Sequence, residues 1–168
     1  MKLHPEVEKA LNEQVNIELH SAYTYLGLSA YFESNSFPGF SSWMRLQGNE
    51  ELDHAKKFVQ YIFNRNGNLS LDNIPKPQTK YKGPIEAFEA SLKQEQAVSE
   101  SIIKIYELAA KHKDYPTQSF LKWFLDEQVE EENIVHDLIG QLKLVGTTPV
   151  GLFQMDREAA RRSAASKG

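Results

Sequence analysis

Four glutamates in this chain occupy positions that a helical pattern would fill with apolar side chains. Glu51 stands seven residues from both Met44 and Phe58, Glu95 seven from Phe88 and Ile102, and Glu131 seven from Phe124 and Leu138. Glu18 stands seven from Leu11 and Tyr25 and four from Ala22. Helical residues seven apart share a face, so all four acids are aimed at the core. Burying one carboxylate without a partner costs several kcal/mol, and four that converge also repel one another. The same faces supply no Lys or Arg near these positions. A group of divalent cations removes the conflict most simply; the plain alternative is a helical scaffold whose acids are protonated or paired.

A repeat strengthens the metal reading. Glu18 precedes Glu51 by 33 residues and His54 by 36; Glu95 precedes Gln128 by 33 and Glu131 by 36. Each half of the chain therefore offers one acid on a first helix and an i, i+3 pair on a second. Dinuclear carboxylate centres inside helix bundles use one Glu from each of two helices and Glu-x-x-His from the other two. Glu51 and His54 match one half of that pattern, and Gln128 and Glu131 alter the other. With no cysteine in the chain, only oxygen and imidazole remain as ligands. Such a set favours iron or manganese over a structural zinc site. A further group of acids, Glu127, Glu130 and Glu131, shares one helix face, and Glu50 adjoins Glu51. They suggest a third metal position, although the run "DEQVEEEN" taken alone also fits a solvated acidic face. Glu132 is expected to be exposed.

These residues need helices to position them. Pro and Gly fall in clusters at 34–39, 64–84, 111–116 and 146–151. Between the clusters run four stretches with apolar residues at the helical period. They predict helices over about 5–33, 39–66, 84–111 and 116–145, with a short fifth helix over about 150–162 and a frayed tail "SAASKG". Short turns make the first pair and the third and fourth antiparallel neighbours. The long Pro- and Gly-containing connection between the pairs can cross the length of the bundle. The expected fold is all-α: a four-helix bundle with one long crossover and a short C-terminal helix.

The 168 residues fit one domain, of ordinary soluble composition with 25% charged and 40% hydrophobic residues. The net charge of −4 and the lack of long like-charge blocks give no footing for nucleic acid. No apolar run approaches membrane-spanning length, and the N-terminus lacks a signal-peptide core. The expected location is cytoplasmic.

The stretches "LNEQVNIELHSAYTY", "NEELDHAKKF", "SLKQEQ" and "FLKWFLDEQVEEEN" together resemble a ferritin of the bacterial non-haem kind, and the resemblance covers essentially the whole chain. It implies a ferritin-like bundle with a ferroxidase centre that oxidises Fe(II) with O2 or H2O2. Glu18, Glu51 and His54 would hold the first iron. Glu51, Glu95 and Glu131 would hold the second, with Glu51 bridging and Gln128 close by. Glu50, Glu127, Glu130 and Glu131 match the third site of bacterial non-haem members. Tyr25 and Trp123 match aromatics beside the centre, and Tyr25 is either a one-electron donor or an ordinary core tyrosine. The resemblance further implies a homo-oligomeric, 24-subunit cage enclosing an iron mineral, with the fifth helix near the fourfold axes.

Departures narrow the reading. Haem-containing relatives use a methionine as haem ligand where this chain has Leu52, so no haem is expected. The acids of the animal threefold pore correspond here to Gln118 and Leu121, which leaves a different entry route for iron. The absence of cysteine excludes the appended four-cysteine site of rubrerythrin-like relatives. His20 lies about 200° round its helix from Glu18. It, His136, His112 and His4 are read as non-ligands of the centre. Tyr31 and Leu152 are expected to be exposed apolar residues outside the bundle stripes, where they fit interfaces. The competing function is a di-iron oxidase acting on an organic substrate.

Overall fold

Proline opens the helices. Pro5, Pro38, Pro84 and Pro116 stand in the first turns of α1 (Pro5–Ser34), α2 (Pro38–Asn64), α3 (Pro84–Lys111) and α4 (Tyr115–Val145), and Pro149 begins α5 (Pro149–Ala165). At those positions a missing N–H costs nothing and the fixed φ already suits a helix. This computed structural model describes residues 2–165, with side chains through residue 161. Among the described residues there is no strand.

The first three helices end in one device. Ser36, Asn66 and Lys113 take φ of 63°, 54° and 54°. In each case the next residue's N–H reaches back five residues: Phe37 to Phe32, Gly67 to Ile62 and Asp114 to Ala109, at 2.8–3.0 Å. This is the Schellman arrangement, here with a side-chain-bearing residue where glycine is usual. It stops α2 at Asn64, two residues before the expected end. α5 runs to Ala165, three residues into the tail expected to fray; the rest of that tail lies outside the described residues.

The core comes in two parts with the acids between them. One part gathers Leu28, Phe32, Phe40, Trp43, Phe88 and Val135; the other gathers Leu11, Val15, Phe58, Ile62, Ile102 and Phe124. Along α1 and α4 the chain passes from the second part to the first, and along α2 and α3 from the first to the second. α1 is therefore antiparallel to α2, and α3 to α4, while α2 and α3 run parallel and need the long crossover. That crossover is fastened to α1 by two asparagines one turn apart. Asn12 accepts from the Ser70 N–H at 2.6 Å and donates to the Asn68 carbonyl, and Asn16 accepts from the Asp72 N–H at 2.7 Å and donates to the Ser70 carbonyl. Gly27 lets it pass closely, since a Cβ there would lie 2.8 Å from the Gln78 carbonyl oxygen.

α5 folds back on α2. The Asp156 carboxylate accepts the Phe40 N–H at 2.8 Å, capping the start of α2, and Met155 and Ala159 join the first core part. Gly39 is obligatory at this contact, because a Cβ would stand 1.8 Å from the Asp156 carbonyl oxygen. Two expectations are corrected here. Tyr31 is buried against Phe32 and the crossover's Tyr81, and Leu152 packs on the first core part, so neither is an exposed interface residue. The large apolar residues left exposed include Leu26, Leu52, Trp123, Val129 and Phe153.

Candidate metal centre

Glu18, Glu51, Glu95 and Glu131 lie at the same height in four helices, with relative exposures of 0%, 1%, 0% and 5%. His54 and Gln128 are buried beside them. Oxygens of Glu18 and Glu51 and a ring nitrogen of His54 all fall within 4.8 Å of one another. His54 Nδ1 is 3.7 Å from Glu51 Oε2 and 4.0 Å from Glu18 Oε2, and none of these three atoms has a hydrogen-bond partner. Three buried, unsatisfied donor atoms facing one point are costly in a protein interior unless something binds them. Two carboxylates and one imidazole at that spacing suit a divalent cation of the iron or manganese type.

The other ligands expected from the sequence are tied up in hydrogen bonds. Tyr25 donates its hydroxyl to Glu95 Oε1, and Gln128 Nε2 donates to Glu95 Oε2 at 3.1 Å. Gln47 Nε2 donates to Glu131 Oε2 at 2.7 Å, and Gln14 Nε2 to Glu18 Oε1 at 2.8 Å. Glu95 and Glu131 are thus not in the tight group with Glu18, Glu51 and His54. Glu50 and Glu127 are half-buried and Glu130 is exposed, and they too stay outside that group. Glu132 corrects its expectation: it is half-buried and accepts the Ser99 hydroxyl.

Burial dominates the electrostatics. It pushes the Glu18 carboxyl well above the usual carboxylate range, and the charge of Glu51 adds to the effect. Glu51 is pushed up the same way, by burial and then by Glu95. Burial also raises Glu95, against the hydrogen bonds from Tyr25 and Gln128, which favour its charged form. Tyr25 stays a phenol, raised by burial and by Glu95. At the rim, Trp123 meets the His54 ring edge-on at 5.5 Å, and Lys57 Nζ sits 3.3 Å over the Trp123 ring. His20 and His136 take no part in the group.

Sequence reasoning missed the polar side chains around the acids, of which Gln14 bonds Glu18 and Gln47 reaches across to Glu131. Gln14, Gln47 and Ser91 each stand four residues before Glu18, Glu51 and Glu95. That spacing places each on its acid's own helix face and was a usable signal. Ser91 contacts the Tyr25 hydroxyl at 3.3 Å.

A buried carboxylate–imidazole layer crossing an antiparallel bundle with one long crossover defines a metal-carboxylate bundle protein. The ferritin-like domain family matches residues 8–145. A bacterial non-heme ferritin of Staphylococcus saprophyticus is 40% identical over 161 residues, 96% of each chain. One from Campylobacter jejuni is 35% identical over 155 residues, 92% of this chain and 93% of its own. Among solved structures, an open pore ferritin from the archaeon Archaeoglobus fulgidus superposes with a TM-score of 0.94 at 37% identity, covering 95% of this chain and 98% of that one. The chain belongs to the ferritin family. It is of the non-haem type, and its function is iron storage.

Proposed function

We propose that the protein is a ferroxidase that oxidises Fe(II) at two neighbouring positions and passes Fe(III) to a mineral inside a 24-subunit cage in the cytoplasm. The observation that carries this is the buried trio of unsatisfied atoms on Glu18, Glu51 and His54. The first Fe(II) binds there. The second binds between Glu51, Glu95 and Glu131, with Gln128 holding Glu95 in place. A third position uses Glu50, Glu127, Glu130 and Glu131; the charges of Glu50 and Glu131 already act on Glu51.

Iron is substrate here. Each Fe(II) gives up one electron, and the pair reduces dioxygen to hydrogen peroxide with uptake of two protons, or hydrogen peroxide to two waters. Hard anionic oxygens favour Fe(III) over Fe(II), which lowers the potential of the couple. Metal binding displaces the protons that burial keeps on Glu18 and Glu51. Tyr25, a phenol hydrogen-bonded to Glu95, is placed to give one electron to dioxygen or hydrogen peroxide when only one Fe(II) is present to supply the other, its proton passing to the Glu95 carboxylate.

Aerobic addition of Fe(II) to the metal-free protein tests the reading. Turnover well beyond three irons per chain that ends in soluble ferric mineral is expected, together with loss of fast oxidation in Glu51→Ala/His54→Ala. Oxidation that halts after one stoichiometric load would favour oxygen chemistry on an organic substrate. An unchanged rate in the double variant would refute the site.

A further inference from the structure

The histidines assigned no role in the centre include a pair that the fold brings together. His4 caps the start of α1, where its Nδ1 accepts the Glu6 N–H, and His112 caps the end of α3. Their rings stack with centroids 3.6 Å apart and planes 18° from parallel. His112 Nε2 lies 3.1 Å from Glu6 Oε2. Donor atoms of His4, Glu6 and His112 all fall within 4.8 Å of one another.

We propose that His4, Glu6 and His112 form a second, surface site for a first-row divalent cation such as Zn(II), clipping the start of α1 to the end of α3. Two ligands about 2.1 Å from a tetrahedral metal are separated by about 3.4 Å. His112 and Glu6, 3.1 Å apart, stand close to that spacing. Nearly parallel rings cannot aim their in-plane lone pairs at one metal, so the third donor closes by a swing of the His4 ring out of its stack, which gives up or loosens its capping bond. Two imidazoles and one carboxylate match a zinc set with an open fourth place for water. An adjoining open groove of about 420 Å³, lined in part by His4, Arg65, His112 and Asp114, leaves room for that water.

The carbonyl end of α3 favours a cation, and the N–H end of α1 opposes it. Lys111 also opposes it: its Nζ is 3.4 Å from Glu6 Oε2, where the metal would replace it. Lys2 and Lys113 line the groove, while Arg65 is neutralised by Asp114 at 3.0 Å. Lys111 is therefore the internal competitor, and its removal should tighten the site.

The experiment is equilibrium dialysis of the assembled, iron-free protein against Zn(II), with anomalous diffraction from zinc-soaked crystals to place each ion. Wild type should hold one more zinc per chain than His112→Gln, and an anomalous peak should stand between His4, Glu6 and His112. Glu6→Gln should weaken that zinc roughly tenfold or more, and Lys111→Gln should tighten it. Should His112→Gln fail to assemble, Glu6→Gln and Lys111→Gln decide the matter alone. Equal zinc counts in wild type and variants, or peaks confined to the buried centre, overturn the proposal. Zinc in the buried centre serves as internal control, so failure of this site and failure of the ferroxidase reading are distinguishable.

Discussion

Glu51→Gln should make the metal-free protein more stable while abolishing rapid iron oxidation. Oxygens of Glu51 and Glu18 lie within 4.8 Å of each other in a buried layer. Two full charges at that distance repel by about 3.5 kcal/mol at an effective dielectric constant of about 20. Glutamine keeps the shape, removes the charge and offers a donor to Glu18. The effect depends on pH in a definite sense. Burial raises both carboxyls above their unfolded values. The folded state therefore binds more protons than the unfolded state above the ordinary carboxylate range, and stability falls as pH rises through that window. On the acid side of the raised carboxyl range both groups are protonated and the variant should gain little; as pH rises through that range to a higher pH the gain should grow, up to about 3 kcal/mol when both would be charged. Guanidinium unfolding of iron-free protein, followed by fluorescence of the buried Trp43, reads this as a shift in midpoint. A variant less stable than wild type at the higher pH, or a gain equal at both, would refute the reasoning.

Gly39→Ala should drive a Cβ into the backbone of Asp156 and release α5 from α2, a loss of about 1–3 kcal/mol. Faster proteolytic cleavage within residues 149–165 would report it. Ser36→Gly should stabilise by about 0.5–1 kcal/mol, because glycine takes the positive φ without steric conflict; thermal unfolding measures the change. Tyr25→Phe removes a hydrogen bond that favours ionised Glu95. The Glu95 carboxyl should then rise further, and the acid limb of the oxidation rate should move to higher pH in stopped-flow absorbance.

The bundle was legible in the sequence because apolar residues seven apart bracket each acid, and because prolines punctuate the chain where helices begin. The burial of the four acids was legible for the same reason, since a glutamate between Phe88 and Ile102 has nowhere to point but inward. The end of α2 was not, because Asn66 gives no glycine-like warning of a positive φ. Tyr31 was read as exposed because its partner, Tyr81, lies fifty residues on in the crossover. Nor did sequence reveal that His4 meets His112, since only the antiparallel packing of α1 on α3 joins residues so far apart. Pairing patterns within one helix follow from spacing, whereas those between helices require their register.

The seam of acids has a further consequence for motion in the iron-free protein. Each half of the interior, one centred on Phe32 and Phe88 and the other on Phe58 and Phe124, is cohesive by itself. Helices ordinarily loosen from their tips, but here the strained zone is at mid-length. Amides around Glu18, Glu51 and Glu95 should exchange with deuterium sooner than those one or two turns away on either side. Loading with cations should reverse that order, turning the waist of the bundle from its loosest part into a weld.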